Sequence, residues 1–448
     1  MKLLLVSLGC DKNLVDSEEM TGILAEQGFE FTDDEKKAEV IIVNTCAFIG
    51  DAKEESINTI LDLAENRIEA GNGGVCRALI ATGCLAQRYS EEIKKELPEI
   101  DAVIGTMAYD RIGEVINSVL SGKVFDAFSD IDSSPEISGR RFPSSGGHYA
   151  FLKIAEGCDK RCTYCIIPFM RGRYRSFPEE ELLKEAERLA FLGVKELILV
   201  AQETTVYGVD LYGKKALPEL LKGLARIDGI EWIRLMYCYP EEITDELIET
   251  IRTEPKICDY LDIPIQHSSD KILKAMGRKT DEKSLRTLIE KLRREIPDIA
   301  LRTTLIAGFP GETEEDFEKL YNFCDELEFD RLGVFPYSEE EGTRASTLPG
   351  KVPEEEKLRR RDELMELSRE IVFEKAEKQV GRKLSVFIEG FMPEENIYVG
   401  RTYMDAPEVD GMIFVHSDRE LLSGMIVNVR VTEAKGYDLI GEEIYESA

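Results

Sequence analysis

The sequence predicts an α/β protein in three parts: a doubly wound domain over residues 1–120, a TIM-like βα barrel or part of one over 148–376, and a small antiparallel β-barrel over 377–448. Three observations predict it. Strand-like apolar runs alternate with helical patterns through the first two parts, which means parallel strands joined by helices. The periodicity lapses between 121 and 147, where Ser121-Gly-Lys, Ser133-Ser-Pro and Phe142-Pro-Ser-Ser-Gly-Gly147 punctuate a mobile linker. From Leu384 onward the pattern changes to short alternating strands with glycine-containing turns.

In the first part, three strand-like runs each end in a turn that carries a cysteine. Lys2 to Leu8 precedes Gly9-Cys10, Val40 to Asn44 precedes Thr45-Cys46, and Ala78 to Ala81 precedes Thr82-Gly83-Cys84. Helical patterns follow at Ser17 to Gln27, Lys53 to Arg67 and Glu91 to Leu97. Cysteines just after parallel strands share the carboxyl edge, where such sheets bind ligands. Cys10, Cys46 and Cys84 are therefore expected to converge. Singly, each is also a candidate core residue, since free cysteine is among the most buried types. Cys76 precedes its strand and is expected at the opposite edge.

In the second part, strand candidates lie at 150–155, 195–201, 231–237, 259–265, 299–306 and 331–337, with helices at 178–191, 215–226, 242–252, 282–295 and 312–327. Six units fall short of the eight that close a full barrel. After the first strand comes Cys158-Asp-Lys-Arg-Cys162-Thr-Tyr-Cys165. Three thiolates in this spacing can hold three irons of a cubane cluster and leave the fourth iron open, whereas a structural cluster takes four cysteines. The alternative is a zinc site with a distant fourth ligand, but no Cys or His lies close enough downstream to close a tetrahedron. Arg171, Arg173 and Arg175 follow as a basic cluster, either solvated or holding anionic groups. His267 reads as structural, and Cys238, Cys258 and Cys324 as core.

The third part opens with a charged helix over Glu354 to Glu377 whose apolar positions recur at helical spacing. From Lys378 to Ala448 there are seven Lys and Arg against thirteen Asp and Glu. An acidic barrel repels phosphate and attracts a basic protein. Asp405, Glu408 and Asp410 form an acidic loop there.

Composition narrows the function classes. The chain carries a net charge of −31, which disfavours nucleic acid as a direct substrate. Its apolar runs are too short to span a bilayer. The start lacks a signal-peptide pattern, and ten clustered cysteines read as metal ligands in a cytoplasmic enzyme rather than as a disulfide scaffold.

The CxxxCxxC array resembles that of the radical S-adenosylmethionine (SAM) enzymes. In that family the open iron chelates SAM, and an electron from the cluster cleaves it to an adenosyl radical. Ser7-Leu-Gly-Cys-Asp-Lys-Asn-Leu-Val-Asp-Ser17, Val43-Asn-Thr-Cys-Ala-Phe48 and Thr82-Gly-Cys-Leu-Ala-Gln87 resemble the amino-terminal domain of the radical SAM methylthiotransferases. That resemblance covers nearly the whole chain. It implies two [4Fe-4S] clusters, one on Cys158, Cys162 and Cys165, the other on Cys10, Cys46 and Cys84 with sulfide or persulfide at its free iron. It also implies an open six-unit barrel and a C-terminal TRAM domain. Tyr164 resembles the family's aromatic position near adenine, and Leu305-Ile-Ala-Gly-Phe-Pro-Gly-Glu312 its adenine-side loop, which makes Gly308, Gly311 and Glu312 candidate SAM contacts. Gln202, Glu203 and Gln266, on neighbouring loops, are candidates for SAM or substrate, or for supporting hydrogen bonds.

The opening motif and the acidic segment Gly400-Arg-Thr-Tyr-Met-Asp-Ala-Pro-Glu-Val-Asp-Gly411 resemble the branch that modifies an aspartate on the twelfth protein of the small ribosomal subunit. The resemblance implies insertion of sulfur and a methyl group at that aspartate's β-carbon, with an external electron donor and with Asp405, Glu408 and Asp410 meeting the basic partner. No acid or base in the chain would ionise such a C–H bond, so the cofactor must supply radical chemistry. The rival readings are a tRNA methylthiotransferase and a non-catalytic iron–sulfur electron carrier.

Overall fold

The computed structural model describes residues 1–123, 125–133, 137 and 139–445. Ser134 and Pro135, part of the expected linker punctuation, lie outside the described residues, as do the last three residues of the third part. Among the described residues no helix is long and apolar enough to cross a membrane.

The first part comprises β1 (Lys2–Ser7), α1 (Asp11–Glu26), β2 (Glu30–Phe31), β3 (Val40–Thr45), α2 (Gly50–Ala64), β4 (Ala78–Gly83), α3 (Cys84–Arg88), α4 (Ser90–Glu96), β5 (Ala102–Ile104) and α5 (Ile112–Leu120). Its strands pair in parallel in the order β2-β1-β3-β4-β5. The order reverses between β1 and β3, the switch point at which such sheets bind ligands. β3 and β4 are buried at every position, as helices on both faces require of central parallel strands.

The second part runs through β6 (Tyr149–Lys153), a ribbon of β7 (Ala155–Glu156) with β8 (Arg175–Ser176), and α6 (Ile167–Arg171) between them. Then follow α7 (Glu179–Phe191), β9 (Glu196–Val200), α8 (Val209–Tyr212), α9 (Leu217–Ala225), β10 (Trp232–Leu235), α10 (Asp245–Thr253) and β11 (Ile257–Asp262). α11 (Asp270–Ala275), α12 (Glu282–Glu295), β12 (Ala300–Ala307), α13 (Glu314–Leu327) and β13 (Arg331–Pro336) complete it. The six long strands form a parallel sheet in chain order, with β6 and β13 at its edges, so the barrel is open. Reciprocal capping boxes start α12 (Asp281 with Ser284) and α13 (Thr313 with Asp316), which fixes where each chain turn enters its helix.

α14 (Glu354–Glu377) buries Leu364, Leu367, Ile371 and Val372 and hands over to the third part. There β14 (Lys383–Met392), β15 (Ile397–Thr402), β16 (Ile413–His416), β17 (Ile426–Lys435) and β18 (Asp438–Glu443) close a barrel in the order β14-β15-β16-β18-β17. Its pairings are antiparallel except β16 with β18, which runs parallel.

Near the end of the expected linker, Arg141 is buried, 3.2 Å from Glu18 of α1 and 3.6 Å from Glu185 of α7. The third part is also ion-paired into the second. Arg234 and Arg401, both buried, bind the two oxygens of Glu196 at 2.8 and 2.6 Å. A buried carboxylate held by two guanidiniums remains charged only because both are present.

Candidate active site

Cys10, Cys46 and Cys84 come together at the carboxyl edge of the first sheet. Gly9 has φ +87°, and a Cβ there would stand 2.6 Å from Cys46 Cβ and 2.8 Å from its Sγ. Only glycine lets the first and second cysteine turns approach so closely. Gly83, at φ +91°, does the same for the third turn, where a Cβ would lie 2.3 Å from Asn44 Oδ1 and 2.5 Å from Thr45 O. Asn13 Nδ2 donates to Leu8 O and Thr45 O, both at 3.0 Å, and its Oδ1 lies 3.8 Å from Cys84 Sγ, so one side chain ties all three turns. Burial pushes the Cys46 thiol up to about 12, and the nearby Cys84 and Cys10 add to that. Burial raises Cys84 too, while the Arg171 guanidinium opposes it. Cys76 is fully buried before β4 and faces Ala78 O at 3.4 Å, at the opposite edge as expected.

The second triad sits on the loop after β6. Cys158 N donates to Gly172 O (3.2 Å), Thr163 N to Met276 O (2.9 Å) and Cys165 N to Cys162 O (3.0 Å). Burial pushes the Cys158 thiol up to about 12 and Cys165 well above its ordinary value, with the neighbouring cysteines reinforcing the shift. Tyr239 OH lies 3.5 Å from Cys162 Sγ, and Tyr164 packs with Phe309, Tyr337 and Met276 beside it. Lys160, within the loop, meets Glu203 (3.3 Å), Glu241 (3.6 Å) and Glu242 (2.5 Å). Burial raises the Glu203 carboxyl to about 7 against the pull of Lys160. Gln202 donates to Glu156 Oε1 at 2.9 Å and leaves its own buried carbonyl oxygen without a partner.

Among the described residues, no group of three or more His, Cys, Asp or Glu gathers tightly enough for one metal ion. A cubane places each thiolate on a different iron, so its ligands stand further apart than those of a single tetrahedral ion. Three thiols on each loop set, and no imidazole among them, therefore fit iron–sulfur chemistry better than a zinc cage. Bound iron also supplies the charge needed to deprotonate thiols whose burial holds them neutral.

The two triads are joined in two ways. Arg171, at the end of α6, is buried between Asp16 (2.7 Å) and Glu156 (3.4 Å) and binds Asn13 Oδ1. Tyr237 OH donates to Asp11 Oδ1 (3.0 Å) beside Cys10, while Tyr239, on the same loop, reaches Cys162. Tyr237 also lines a cavity of about 410 Å³ whose wall includes Gly9, Cys10, Phe151, Met236, Arg302 and Glu408. The cavity thus runs from the first cysteine triad to the C-terminal barrel.

Several sequence expectations change. Asp405 and Asp410 do not form an acidic surface. Asp405 is buried against Arg331 and accepts from Thr402 Oγ1 at 2.7 Å. The Asp410 carboxylate accepts from Tyr260 OH at 2.9 Å and lies 3.5 Å from Arg302. Buried and engaged within the chain, these two carboxylates present no surface charge to a partner. Glu408 alone is exposed, with Tyr149 OH donating to it at 3.0 Å. Glu312 is not free for SAM: it accepts from Gly308 N (2.8 Å) and Phe309 N (3.0 Å) and pairs with Arg360 (2.9 Å), so it holds the loop from inside. Gly308 (φ +76°) faces Lys357, while Gly311 (φ +87°) has open space around it. His267, unlike these, lies as expected: it is buried and accepts from Ser268 N and Ser269 N at 2.9 Å. The three arginines separate: Arg171 is buried, Arg173 is exposed, and Arg175 turns back onto Arg171 O at 3.1 Å. Sequence reading passed over Asn13, Tyr237, Tyr239 and Arg278. The signal for the tyrosines was their place just after a barrel strand, where catalytic loops stand.

Residues 152–324 match the model of the Radical SAM superfamily, residues 380–444 that of the TRAM domain, and residues 2–105 an uncharacterized protein family, UPF0004. The chain is 61% identical to the ribosomal protein uS12 methylthiotransferase RimO of Lachnoclostridium phytofermentans, over 98% of this chain and 99% of the relative. It is 51% identical to the RimO of Acetivibrio thermocellus, over 100% and 99%. Among solved structures, the radical SAM methyltransferase TsrM from Kitasatospora setae is similar with TM-score 0.55 at 14% identity, over 86% of this chain and 80% of that one. At that identity the likeness speaks for the fold.

Proposed function

The chain belongs to the RimO family of ribosomal protein uS12 methylthiotransferases, and from that premise we propose that it inserts sulfur and a methyl group at the β-carbon of an aspartate on uS12. It is a radical SAM enzyme, and SAM with a [4Fe-4S] cluster follows from that family. In our reading Cys158, Cys162 and Cys165 hold the SAM cluster, and Cys10, Cys46 and Cys84 hold a second cluster that carries sulfide or persulfide. When bound, these groups supply the radical that removes the β-hydrogen and the sulfur that replaces it. An external reductant delivers the electron, and the reaction takes place in the cytoplasm.

The chain's own residues orient and shield this chemistry. Tyr164 and Tyr239 wall the SAM triad. The fixed turns at Gly9 and Gly83 hold the other triad together, with Cys10 in the wall of the cavity. The observation that carries the reading is that cavity, which has Cys10 in one wall and Glu408 in another. A loop of a basic protein entering past Glu408 would bring a side chain toward Cys10 with opposite charge at the rim, which speeds and orients encounter. Glu408 is thus the one member of the acidic loop we retain as a partner contact.

The test is to supply the reconstituted enzyme with SAM, sulfide and reductant, and to offer it uS12 and tRNA side by side. Methylthiolation of an aspartate on uS12, with tRNA unmodified, is the expected outcome. Modified tRNA and unmodified uS12 would overturn the proposal.

A further inference from the structure

Arg278 is a buried cation beside Cys162 with no acid partner among the described residues, and we infer that it is the counter-charge of the SAM cluster, acting through Tyr239. This rests on the placement of that cluster on Cys158, Cys162 and Cys165.

The segment carrying Arg278 is pinned to the cysteine loop. Ala275 O accepts from Thr163 Oγ1 at 2.8 Å, and Met276 O accepts from Thr163 N at 2.9 Å. Gly277, at φ +76°, then turns the chain, and Arg278 N donates to Leu273 O at 2.9 Å. The residue is 7% exposed. Its Nη2 donates to Pro264 O at 3.0 Å, while Nε and Nη1 are buried and unpartnered. Glu241 reaches it only electrostatically and is itself engaged by Lys160 at 3.6 Å. The guanidinium lies over the Tyr239 ring, 4.2 Å from its centroid, and the hydroxyl of that ring is 3.5 Å from Cys162 Sγ.

A buried charge without a counter-ion is costly, and chains keep one only where something supplies the opposite charge. A cluster bearing three thiolates is anionic and becomes more so on reduction. A cation stacked on Tyr239 is attracted by the ring face, and it sharpens the hydroxyl as a donor toward the Cys162 sulfur. Positive charge and hydrogen bonds at cluster sulfurs favour the reduced state. Arg278 is therefore a positioning residue: it makes the cluster easier to reduce without touching substrate.

The measurement is a redox titration of the reconstituted full chain, following by electron paramagnetic resonance the signal that SAM perturbs. Arg278→Gln should lower the ratio of reduced to oxidised cluster about tenfold at a fixed poise, about 59 mV for a one-electron couple. Arg278→Lys, which keeps the charge, should stay within about threefold of the parent, and Tyr239→Phe should move in the same direction as Arg278→Gln by less. An unshifted Arg278→Gln with SAM binding weakened tenfold would overturn the inference and make Arg278 a clamp for the SAM carboxylate. Equal shifts for Gln and Lys would overturn it in favour of packing. If Arg278→Gln takes up no iron, Tyr239→Phe decides, and an unshifted potential there overturns the inference. A parent with no SAM-perturbed signal would instead refute the placement of the SAM cluster.

Discussion

Arg171 and Cys84 meet on one atom, the side-chain oxygen of Asn13. Arg171 follows the CxxxCxxC loop in the barrel, and Cys84 follows a strand of the first sheet. The contact ties the two cysteine triads together, and Asp16, Glu156 and Lys153 surround it as buried ion pairs.

Arg171→Met should therefore act on both stability and the first triad. Removing one partner of a buried pair costs about 3–5 kcal/mol. Urea unfolding should show a loss of that order, and iron on the first triad should fall while the second triad keeps its own. Unchanged stability would contradict the buried network.

Gly9→Ala tests the approach of the first two cysteine turns. A Cβ would collide with Cys46, and φ +87° is strained for alanine in any case. The expected result is loss of iron from the first triad with SAM cleavage kept. Full iron content in this variant would contradict the close approach.

The acidic loop divides into structural and exposed members. Asp405→Asn and Asp410→Asn should each destabilise the chain by about 3 kcal/mol by leaving Arg331 and Arg302 short of charge. Glu408→Gln should cost less than about 0.5 kcal/mol yet weaken uS12 binding at low salt and flatten its salt dependence. Unfolding curves and binding against ionic strength separate the two classes.

This division shows where sequence reading stops. The helices over 179–191, 282–295 and 354–377 were legible because a repeated apolar stripe and end signals mark them. β2 and β5, of two and three residues, are too short to show any period. The convergence of Cys10, Cys46 and Cys84 was legible from their strand–turn placement. The burial of Asp405 and Asp410 was not, because their partners Arg331 and Arg302 stand far off in the chain and an acidic run looks the same whether solvated or paired. Glu312 misled for the same reason: a glycine turn before a helix does not say which way its carboxylate points.

Glu203 gives a pH signature in the iron-free protein. Its carboxyl titrates near 4.5 when free and near 7 when buried here. Between those values the folded chain holds a proton that the unfolded chain has lost. Stability from this group therefore falls as pH rises from about 4.5 to about 7, and stays low above that. Glu203→Gln removes the decline, and Lys160 keeps Glu242 at 2.5 Å. Relative to the parent, the variant should gain about 3 kcal/mol across that window, read from urea unfolding at successive pH values. A constant difference would contradict the raised carboxyl.

The central claim is that the chain carries two clusters on two separate cysteine triads. Iron content and SAM cleavage, measured together on three variants, test it most directly. The parent should bind about eight irons as two cubanes. Replacing Cys158, Cys162 and Cys165 with Ala should remove half the iron and all SAM cleavage. Replacing Cys10, Cys46 and Cys84 should remove the other half and leave SAM cleavage intact, with sulfur insertion lost. Cys76→Ala should keep all the iron. SAM cleavage surviving the first replacement, or iron lost on Cys76→Ala but not on Cys46→Ala, would contradict the account.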